Sequence, residues 1–285
     1  MRIDLHTHST ASDGTDTPAE LVAAAGAAGL DVVALTDHDT TAGWAPAVAA
    51  LPAGLTLVPG AELSCVAADP AGQPIPLHLL GYLFDQGHEA FLAERRRLRE
   101  SRLSRGRRIV DRLAAAGLPV SWDQVLELAA GGAVGRPHIG RALVQAGVVG
   151  SVDEAFARYL HSGSPYYVPK AETDALAGVR LIRAAGGVPV FAHPLARRRG
   201  RVVPDAAIVA MAGAGLAGLE VDHPDHDDAD RAHLRRLAAD LDLLVTGATD
   251  YHGTNKGVRL GAHRTAPAAY EALVAQASGA RPVAA

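Results

Sequence analysis

The chain has 285 residues, of which 48% are hydrophobic and 20% charged, and its formal net charge at neutral pH is -4. This composition is typical of a folded globular protein, so it excludes an intrinsically disordered chain and a histone-like polycation. The single cysteine, Cys65, excludes an internal disulfide and a metal site with several thiolates, and it favours a reducing cytoplasm as the location.

The first third of the chain predicts strands that alternate with helices. Apolar runs predict strands at 2–5, 31–35, 55–58 and 77–82, and a helical segment at 18–28 ends at Gly29. Alternation of this kind is typical of α/β proteins with a largely parallel sheet.

The middle of the chain predicts helices only. One long arginine-rich helix spans about 88 to 116, and shorter helices follow at 122–129, 139–145 and 152–160. The arginines from Arg95 to Arg112 are interspersed with Glu100 and Asp111, so we interpret them as a solvated helix face rather than an RNA-binding surface.

The last third returns to alternating elements, with helices predicted at 173–185 and 231–240 and strands at 188–192, 218–221 and 243–246. The small, apolar tail after residue 278 predicts a frayed end. We therefore predict an α/β barrel or sheet that a helical insertion interrupts. Residues 1–90 and 169–285 would form the barrel, and residues 91–168 the insertion domain.

Histidine is the unusual feature of the composition, with 13 residues against 4 Phe and 2 Trp. His6 and His8 follow the first strand, and side chains two apart on a strand point to the same face, so both can bind one metal ion. Parallel α/β folds place their sites at the carboxyl ends of the strands. Nine histidines and carboxylates stand at or near the ends of six predicted strands: His6, His8, Asp13, His38, Glu62, His78, His193, Asp250 and His252.

These nine side chains offer nitrogen and oxygen ligands and no sulfur. Such a donor set suits Mn, Fe, Zn or Co better than a structural zinc site, and nine ligands are enough for two or three divalent ions. A cluster of this kind lowers the pKa of a bound water and orients a phosphate. The sequence therefore predicts a multinuclear metal centre.

Several segments resemble one family over nearly the whole chain. They read "DLHTHSTASDGTDTP", "LTDHDTTAG", "PGAELSC", "LHLLGY", "VGRPHIGRALV", "FAHP" and "GATDYH". Together they are similar to the PHP superfamily (polymerase and histidinol phosphatase domains), and most to its branch that acts on 3',5'-bisphosphonucleotides and short RNA 5' ends. The resemblance implies a distorted (β/α)7 barrel with a trinuclear metal centre.

The resemblance also implies a ligand set for each ion. One ion would be held by His6, His8, Glu62 and Asp250. A second would share Glu62 and take His78 and His193, and a third would bind Asp13, His38 and His252. Manganese is the favoured metal, with iron and zinc as alternatives.

The activity that the resemblance implies is that of a metal-dependent phosphoesterase. It would remove phosphate from small nucleotides such as 3',5'-bisphosphonucleotides, with 5'-to-3' exonuclease action on short RNA, by attack of a metal-bridging hydroxide. Its partner would be a small phosphorylated nucleotide or a short RNA 5' end. We expect no membrane partner, because no apolar run reaches the roughly 20 residues of a spanning helix, and no feature indicates a protein partner.

Three other readings compete with this one. Histidinol-phosphate phosphatase activity would use the same metal ligands, but the helical insertion with its "GRPHIG" segment resembles the nucleotide-acting branch instead. Metal-dependent amidohydrolases have similar His-x-His sites, commonly with a bridging lysine where Glu62 stands here. A noncatalytic module would tend to lose ligands, whereas all nine positions here carry a residue that can bind metal.

Residues outside the ligand set are candidates for the remaining roles. His223 and His226 follow the strand at 218–221 and are candidates for the general acid that protonates the leaving group. Candidates for phosphate binding are Arg136 and His138 at the start of an insertion helix, Lys170 where the chain returns to the barrel, and Arg197 after "FAHP".

Overall fold

The computed structural model describes all residues, 1–285, and contains nine strands and ten α-helices. The strands are β1 (Ile3–Asp4), β2 (Val32–Leu35), β3 (Thr56–Ala68), β4 (Pro74–Tyr82), β5 (Thr173–Asp174), β6 (Val188–Phe191), β7 (Gly218–Asp222), β8 (Leu244–Gly247) and β9 (Val283–Ala284). The predicted strands are all present, and β3 is much longer than its apolar run indicates.

The helices surround the sheet or form the insertion. They are α1 (Pro18–Ala27), α2 (Trp44–Ala49), α3 (Glu89–Ala115), α4 (Trp122–Ala129), α5 (Arg136–Gln145), α6 (Val152–Ala155), α7 (Ala175–Ala184), α8 (Asp205–Gly213), α9 (Asp228–Asp240) and α10 (Pro267–Ala275), with a π-helical turn at Phe156–Leu160 and a 3-10 turn at Arg197–Arg199. Local sequence sets their starts: Thr17 and Glu20 form a capping box before Pro18 at the start of α1. None of the helices is long and apolar enough to cross a membrane.

Seven strands form one path in the order β1-β2-β3-β4-β6-β7-β8. A bridge between Thr7 and Tyr251 joins the segments that follow the two ends of this path, so the sheet is nearly closed. The predicted α/β barrel with seven strands is confirmed. It departs from a fully parallel barrel at β4, which runs antiparallel to both β3 and β6.

Alternation along the strands separates two apolar layers. Val32, Val58, Leu80 and Val190 belong to one cluster that reaches across the curved sheet, which places it on the inner face. Residues of the opposite parity, such as Val33, pack against the helices outside in a larger cluster. Glu62 and His78 share the inner face, because they stand four and two residues from Val58 and Leu80. Glu220 shares it as well, because it lies between Leu219 and Val221, which belong to the outer cluster.

The segment from α3 to Val168 builds a third core of 14 buried residues, among them Ile109, Val125, Ile139 and Leu160. This core belongs to the insertion predicted at 91–168, although that division of the chain stays a prediction.

Two expectations were wrong. The tail is not frayed, because β9 pairs antiparallel with β3 through Leu57 and Val283. The arginine-rich helix α3 is not a uniformly solvated face: Arg95, Arg102 and Arg105 are 3–5% exposed. These three lie at helical spacing with Leu98 and Ile109 and so face the interior with them.

Candidate metal centre

Four ligand atoms converge where β1 and β8 end and at the middle of the long strand β3, which carries Glu62. His6 Nε2 and His8 Nε2 lie 3.0 Å apart, and Glu62 Oε2 lies 3.3 Å from the first and 3.1 Å from the second. Asp250 Oδ1 is 3.4 Å from His6 Nε2 and 3.3 Å from His8 Nε2. All four side chains are buried, so the structure brings together the first predicted set as one compact group.

The other oxygen of Glu62 faces a second group. Oε1 lies 2.7 Å from His78 Nδ1 and 3.1 Å from His193 Nε2. His38 Nδ1 also approaches Glu62, at 3.1 Å from Oε2. Glu62 thus stands between two groups of imidazoles, as a bridging carboxylate would. His78 lies at the middle of β4 and is level with the end of β6, because β4 runs antiparallel to β6 and Leu79 pairs with Phe191.

The third predicted set also converges, more loosely. Asp13 Oδ1 is 3.3 Å from His252 Nε2, and Asp13 Oδ2 is 3.7 Å from His38 Nε2. His8 Nδ1 lies 3.9 Å from Asp13 and so connects this group to the first. A small carboxylate in the "SDGT" loop therefore completes a cluster of four candidate ligands.

The donor atoms of the cluster fit divalent metal ions. Three of these donor atoms are buried without a hydrogen-bond partner: His38 Nδ1, His78 Nδ1 and Asp250 Oδ1. His78 Nδ1 forms no hydrogen bond even with Glu62 Oε1, which lies 2.7 Å away. Unpaired buried polar atoms are costly, and a cation satisfies them together. The set of nitrogen and oxygen donors is that of Mn, Fe or Zn.

The charge states of three candidate ligands match ligation, whereas burial of His6 and His8 is outweighed by the surrounding carboxylates, which raise the pKa of both, that of His8 to about 9. Burial by itself would raise the pKa of Glu62, but the surrounding histidines, His78 foremost, hold that pKa well below its usual range. Burial lowers the pKa of His193 to about 3, with Arg199 adding to the effect, and it lowers the pKa of His252 to about 4. The carboxylate is therefore ionised and these two imidazoles are neutral, as metal binding requires.

Glu220 on β7 is a functional residue that the sequence analysis missed. It is fully buried; its Oε1 accepts a hydrogen bond from His6 Nδ1 at 2.9 Å and its Oε2 accepts one from the backbone N–H of His193 at 2.8 Å. A carboxylate behind a ligating imidazole fixes the tautomer and the ring direction. The available signal was an acid within the otherwise apolar strand "GLEV".

We expect Glu220→Gln to lower kcat and the affinity for metal by about 10–100-fold each. The amide is uncharged and has one oxygen, so it cannot accept hydrogen bonds from both His6 and His193 as the two carboxylate oxygens do. Activity assays at increasing Mn²⁺ concentration measure kcat, and isothermal titration calorimetry with Mn²⁺ measures the affinity for metal. The half-buried Asp222 lies two residues further along β7 and pairs with Arg235. Asp222→Asn is the control and should change neither value; equal losses in the two variants would contradict the assignment.

The second oxygen of Asp250 faces cations. Oδ2 accepts from Arg199 at 2.7 Å and from Lys256 at 2.5 Å. Arg199 is also held by Asp225, through a bond of 2.7 Å. Asp250 thus turns one oxygen toward His6 and the other toward two positive charges, which fixes the direction of the first oxygen.

The two candidate general acids differ in their surroundings. His226 donates from Nδ1 to the carbonyl of Val221 and accepts the N–H of Leu195 at Nε2, so it has no free ring nitrogen. His223 accepts the N–H of Asp225 at Nδ1, and its buried Nε2 has no partner and lies 3.6 Å from Asp250 Oδ2. Because Nδ1 accepts this N–H, Nε2 is the ring nitrogen of His223 that can donate a hydrogen bond.

Of the predicted phosphate-binding residues, Arg136 is the one that shares a cavity with candidate metal ligands. It lines a cavity of about 190 Å³ together with His78, His193 and Arg199. It donates one bond, of 2.8 Å, to the carbonyl of Leu160 and keeps its other N–H groups available.

The other three candidates have partners within the protein. His138 is 1% exposed and its Nδ1 accepts the backbone N–H of Gly135, which caps α5. Lys170 is paired with Glu172 at 3.1 Å, and burial together with the charge of Arg102 lowers its pKa to about 8. Arg197 is 58% exposed and pairs with Asp230, so it points away from the cluster, and its neighbour Arg199 takes the place beside the ligands.

Helix α3 adds two cations that the sequence analysis assigned to solvent. Arg102 donates to Asp39 at 2.5 Å and to Ser64 at 2.7 Å. Arg105 has no carboxylate partner, and burial beside Arg136 and Arg102 lowers its pKa to about 9. We call Arg102, Arg105, Arg136 and Lys170 the basic cluster. It holds four cations against two acids, Asp39 and Glu172.

Comparison with known proteins gives a consistent result. The chain is 37% identical over 264 residues to a 5'-3' exoribonuclease of Haemophilus influenzae, covering 91% of this chain and 93% of that protein. It is 34% identical over 260 residues to a 3',5'-nucleoside bisphosphate phosphatase of Chromobacterium violaceum, covering 90% and 89%. A proposed metal-dependent phosphoesterase of Bifidobacterium adolescentis superposes with a TM-score of 0.90 at 36% identity, covering 97% and 96%.

The barrel, the converging ligands and these relatives define a metal-dependent phosphoesterase. Residues 4–102 match the PHP domain model. The chain belongs to the PHP family, so the predicted family and enzyme class are confirmed, and the enzyme uses divalent metal ions.

Proposed function

We propose that this enzyme hydrolyses the bond between phosphorus and the 3' oxygen of a nucleotide that also carries a 5'-phosphate. The observation that carries the proposal is the basic cluster next to the metal ligands. Burial alone would lower the pKa of Arg102, but Asp39 raises it, and the charges of the candidate ligands Asp13 and Glu62 add to this rise. A second phosphate can therefore bind in the basic cluster while the reacting phosphate lies at the metal centre.

One binding register accounts for both kinds of substrate. With the 5'-phosphate in the basic cluster, the 3'-phosphate of a 3',5'-bisphosphonucleotide would lie at the metal centre. In a short RNA, that position holds the phosphate that joins the first nucleotide to the second. Water adds to phosphorus, the bond to the 3' oxygen breaks, and this oxygen leaves with a proton. The names of two relatives support this substrate class.

The nine predicted ligands are our proposed metal sites, in the three sets given above, with manganese preferred and iron or zinc as alternatives. When bound, the ions lower the pKa of water and offset the charge on the phosphate oxygens. The protein keeps the ligands in place: Glu220 holds the proton on Nδ1 of His6, so that Nε2 is the free ligand atom. Cytoplasm remains our proposed location.

The remaining side chains act on the phosphate. We assign His223 to donate a hydrogen bond from Nε2–H to a phosphate or leaving oxygen, in place of the general-acid role. Arg136 and Arg199 face one cavity from opposite parts of the chain and bind phosphate oxygens there. His226 holds the backbone around Leu195. The insertion at 91–168 supplies three of the four basic-cluster residues and would cover the mouth of the barrel.

Phosphate release from a panel of substrates tests the proposal. The Mn²⁺-loaded enzyme is assayed with adenosine 3',5'-bisphosphate, a 5'-phosphorylated oligoribonucleotide and histidinol phosphate. Adenosine 3'-phosphate, which lacks only the 5'-phosphate, is the matched control. We expect kcat/KM for the bisphosphate to exceed that of the control about 10–100-fold, since charge-assisted hydrogen bonds contribute about 1.5–3 kcal/mol. Equal values, or a preference for histidinol phosphate, would contradict the proposal.

A further inference from the structure

A second cavity opens on the other side of helix α5. It has a volume of about 460 Å³ and lies between the insertion and the loop that follows Asp250. Small-molecule sites commonly measure about 300–1,000 Å³, so a nucleotide-sized group fits. We call it the α5 cleft. Its polar lining residues are Arg141, Gln145, Ser151, Asp153, Thr254 and Asn255.

One wall of the α5 cleft is tied directly to the candidate metal ligands. Asn255 donates from Nδ2 to the backbone carbonyl of Asp13 at 2.8 Å. The carboxylate of Asp13 in turn lies 3.3 Å from His252. The cleft therefore starts within one residue of the third ligand set.

The opposite wall carries a cation without a partner. Arg141 is part-buried, and burial alone lowers its pKa, because no carboxylate stands beside it. Asp153 is the one acid in the lining and forms no ion pair with it. Arg141 follows Arg136 by five residues on α5, so the two lie about 7 Å apart along the helix axis. The basic cluster and the α5 cleft are thus reached from successive turns of one helix.

We propose that the α5 cleft binds the part of an RNA chain that continues beyond the scissile phosphate. This inference rests on the proposed function. In the register given above, a bisphosphonucleotide ends at the metal centre, whereas RNA must leave it on the side away from the basic cluster. Arg141 meets the next phosphate, and the hydroxyl and amide groups of Thr254 and Gln145 suit ribose hydroxyls and base edges.

The test compares substrates of increasing length on the full-length, Mn²⁺-loaded enzyme. They are adenosine 3',5'-bisphosphate and 5'-phosphorylated di-, tri- and pentaribonucleotides. We expect Arg141→Ala to lower kcat/KM about tenfold for the tri- and pentanucleotide and to leave the value for the bisphosphate unchanged. Gln145→Glu, which adds a negative charge to the same wall, should act in the same direction.

Arg158→Ala is the matched control, because Arg158 lies on the insertion, is 51% exposed and pairs with Glu154 outside the cleft. This variant should leave kcat/KM unchanged for every substrate of the series. Equal losses for all substrates in Arg141→Ala, or none for the oligonucleotides, would overturn the role of the cleft alone. A wild-type enzyme inactive on every member of the series would overturn the proposed function, and this inference with it.

Discussion

Asp250→Asn is expected to lower kcat by about 10³-fold or more, which corresponds to about 4 kcal/mol of transition-state stabilisation. Oδ1 faces two imidazole nitrogens at 3.3–3.4 Å while Oδ2 is held by Arg199 and Lys256. An amide cannot satisfy both sides. Its NH₂ group must face either the two cations or the metal, and both contacts are repulsive.

The fold should survive this change. Asp250 has a backbone φ of 51°, a left-handed conformation that asparagine adopts as readily as aspartate. The thermal midpoint and far-ultraviolet circular dichroism should therefore stay close to those of the wild type, while bound metal, measured by plasma mass spectrometry, falls. Asp222→Asn, the same substitution outside the cluster, is the control. Wild-type turnover with full metal content in Asp250→Asn would remove Asp250 from the ligand set.

The candidate ligands could be found from sequence because each strand alternates its side chains and the strand ends meet at one edge. His6 and His8 show this directly, since their two-residue spacing puts both Nε2 atoms 3.0 Å apart. His78 lies beside the other candidate ligands for a different reason from the one assumed in the sequence analysis. It lies at the middle of the antiparallel strand β4, and the register of that strand, with Leu79 opposite Phe191, places it beside the end of β6.

The basic cluster could not be found by counting charges along α3. Acids nearby in sequence offset the charges of Arg102 and Arg105, and this pattern is typical of a solvent-exposed helix face. Their spacing with Leu98 and Ile109 shows instead that they share the buried face. What sequence does not supply is the partner across the interface, Asp39, which lies 63 residues earlier and pairs with Arg102.

The choice between Arg197 and Arg199 shows a second limit. Both lie in one 3-10 turn of three arginines, and nothing in "LARRRG" ranks them. Acids on other segments distinguish the two arginines. Asp230 on α9 pairs with Arg197, whereas Asp225 and Asp250 pair with Arg199. Tertiary contacts of this kind are set by neighbouring elements and leave no local pattern.

Arg105→Met is expected to weaken catalysis and stabilise the fold at once. Arg105 is 5% exposed, it has no carboxylate partner, and its Nε has no hydrogen-bond partner. A buried cation of this kind costs free energy in the free enzyme, and an apolar side chain of similar length removes that cost. We expect the free energy of unfolding to rise by about 1 kcal/mol and the thermal midpoint by about 2–4 °C.

The same change should lower kcat/KM for adenosine 3',5'-bisphosphate about 10–100-fold and leave kcat/KM for adenosine 3'-phosphate unchanged, because only the former places a phosphate in the basic cluster.

Arg95→Met is the matched control on the same helix face. Arg95 donates to Thr41 and to the carbonyl of Gln86 and stacks on Phe84, outside the basic cluster. Its loss should cost stability and spare activity. A protein keeps a buried, unpaired arginine at the expense of stability when a ligand supplies the missing charge. Arg105→Met with unchanged kcat/KM for the bisphosphate would show that the missing charge is not the 5'-phosphate.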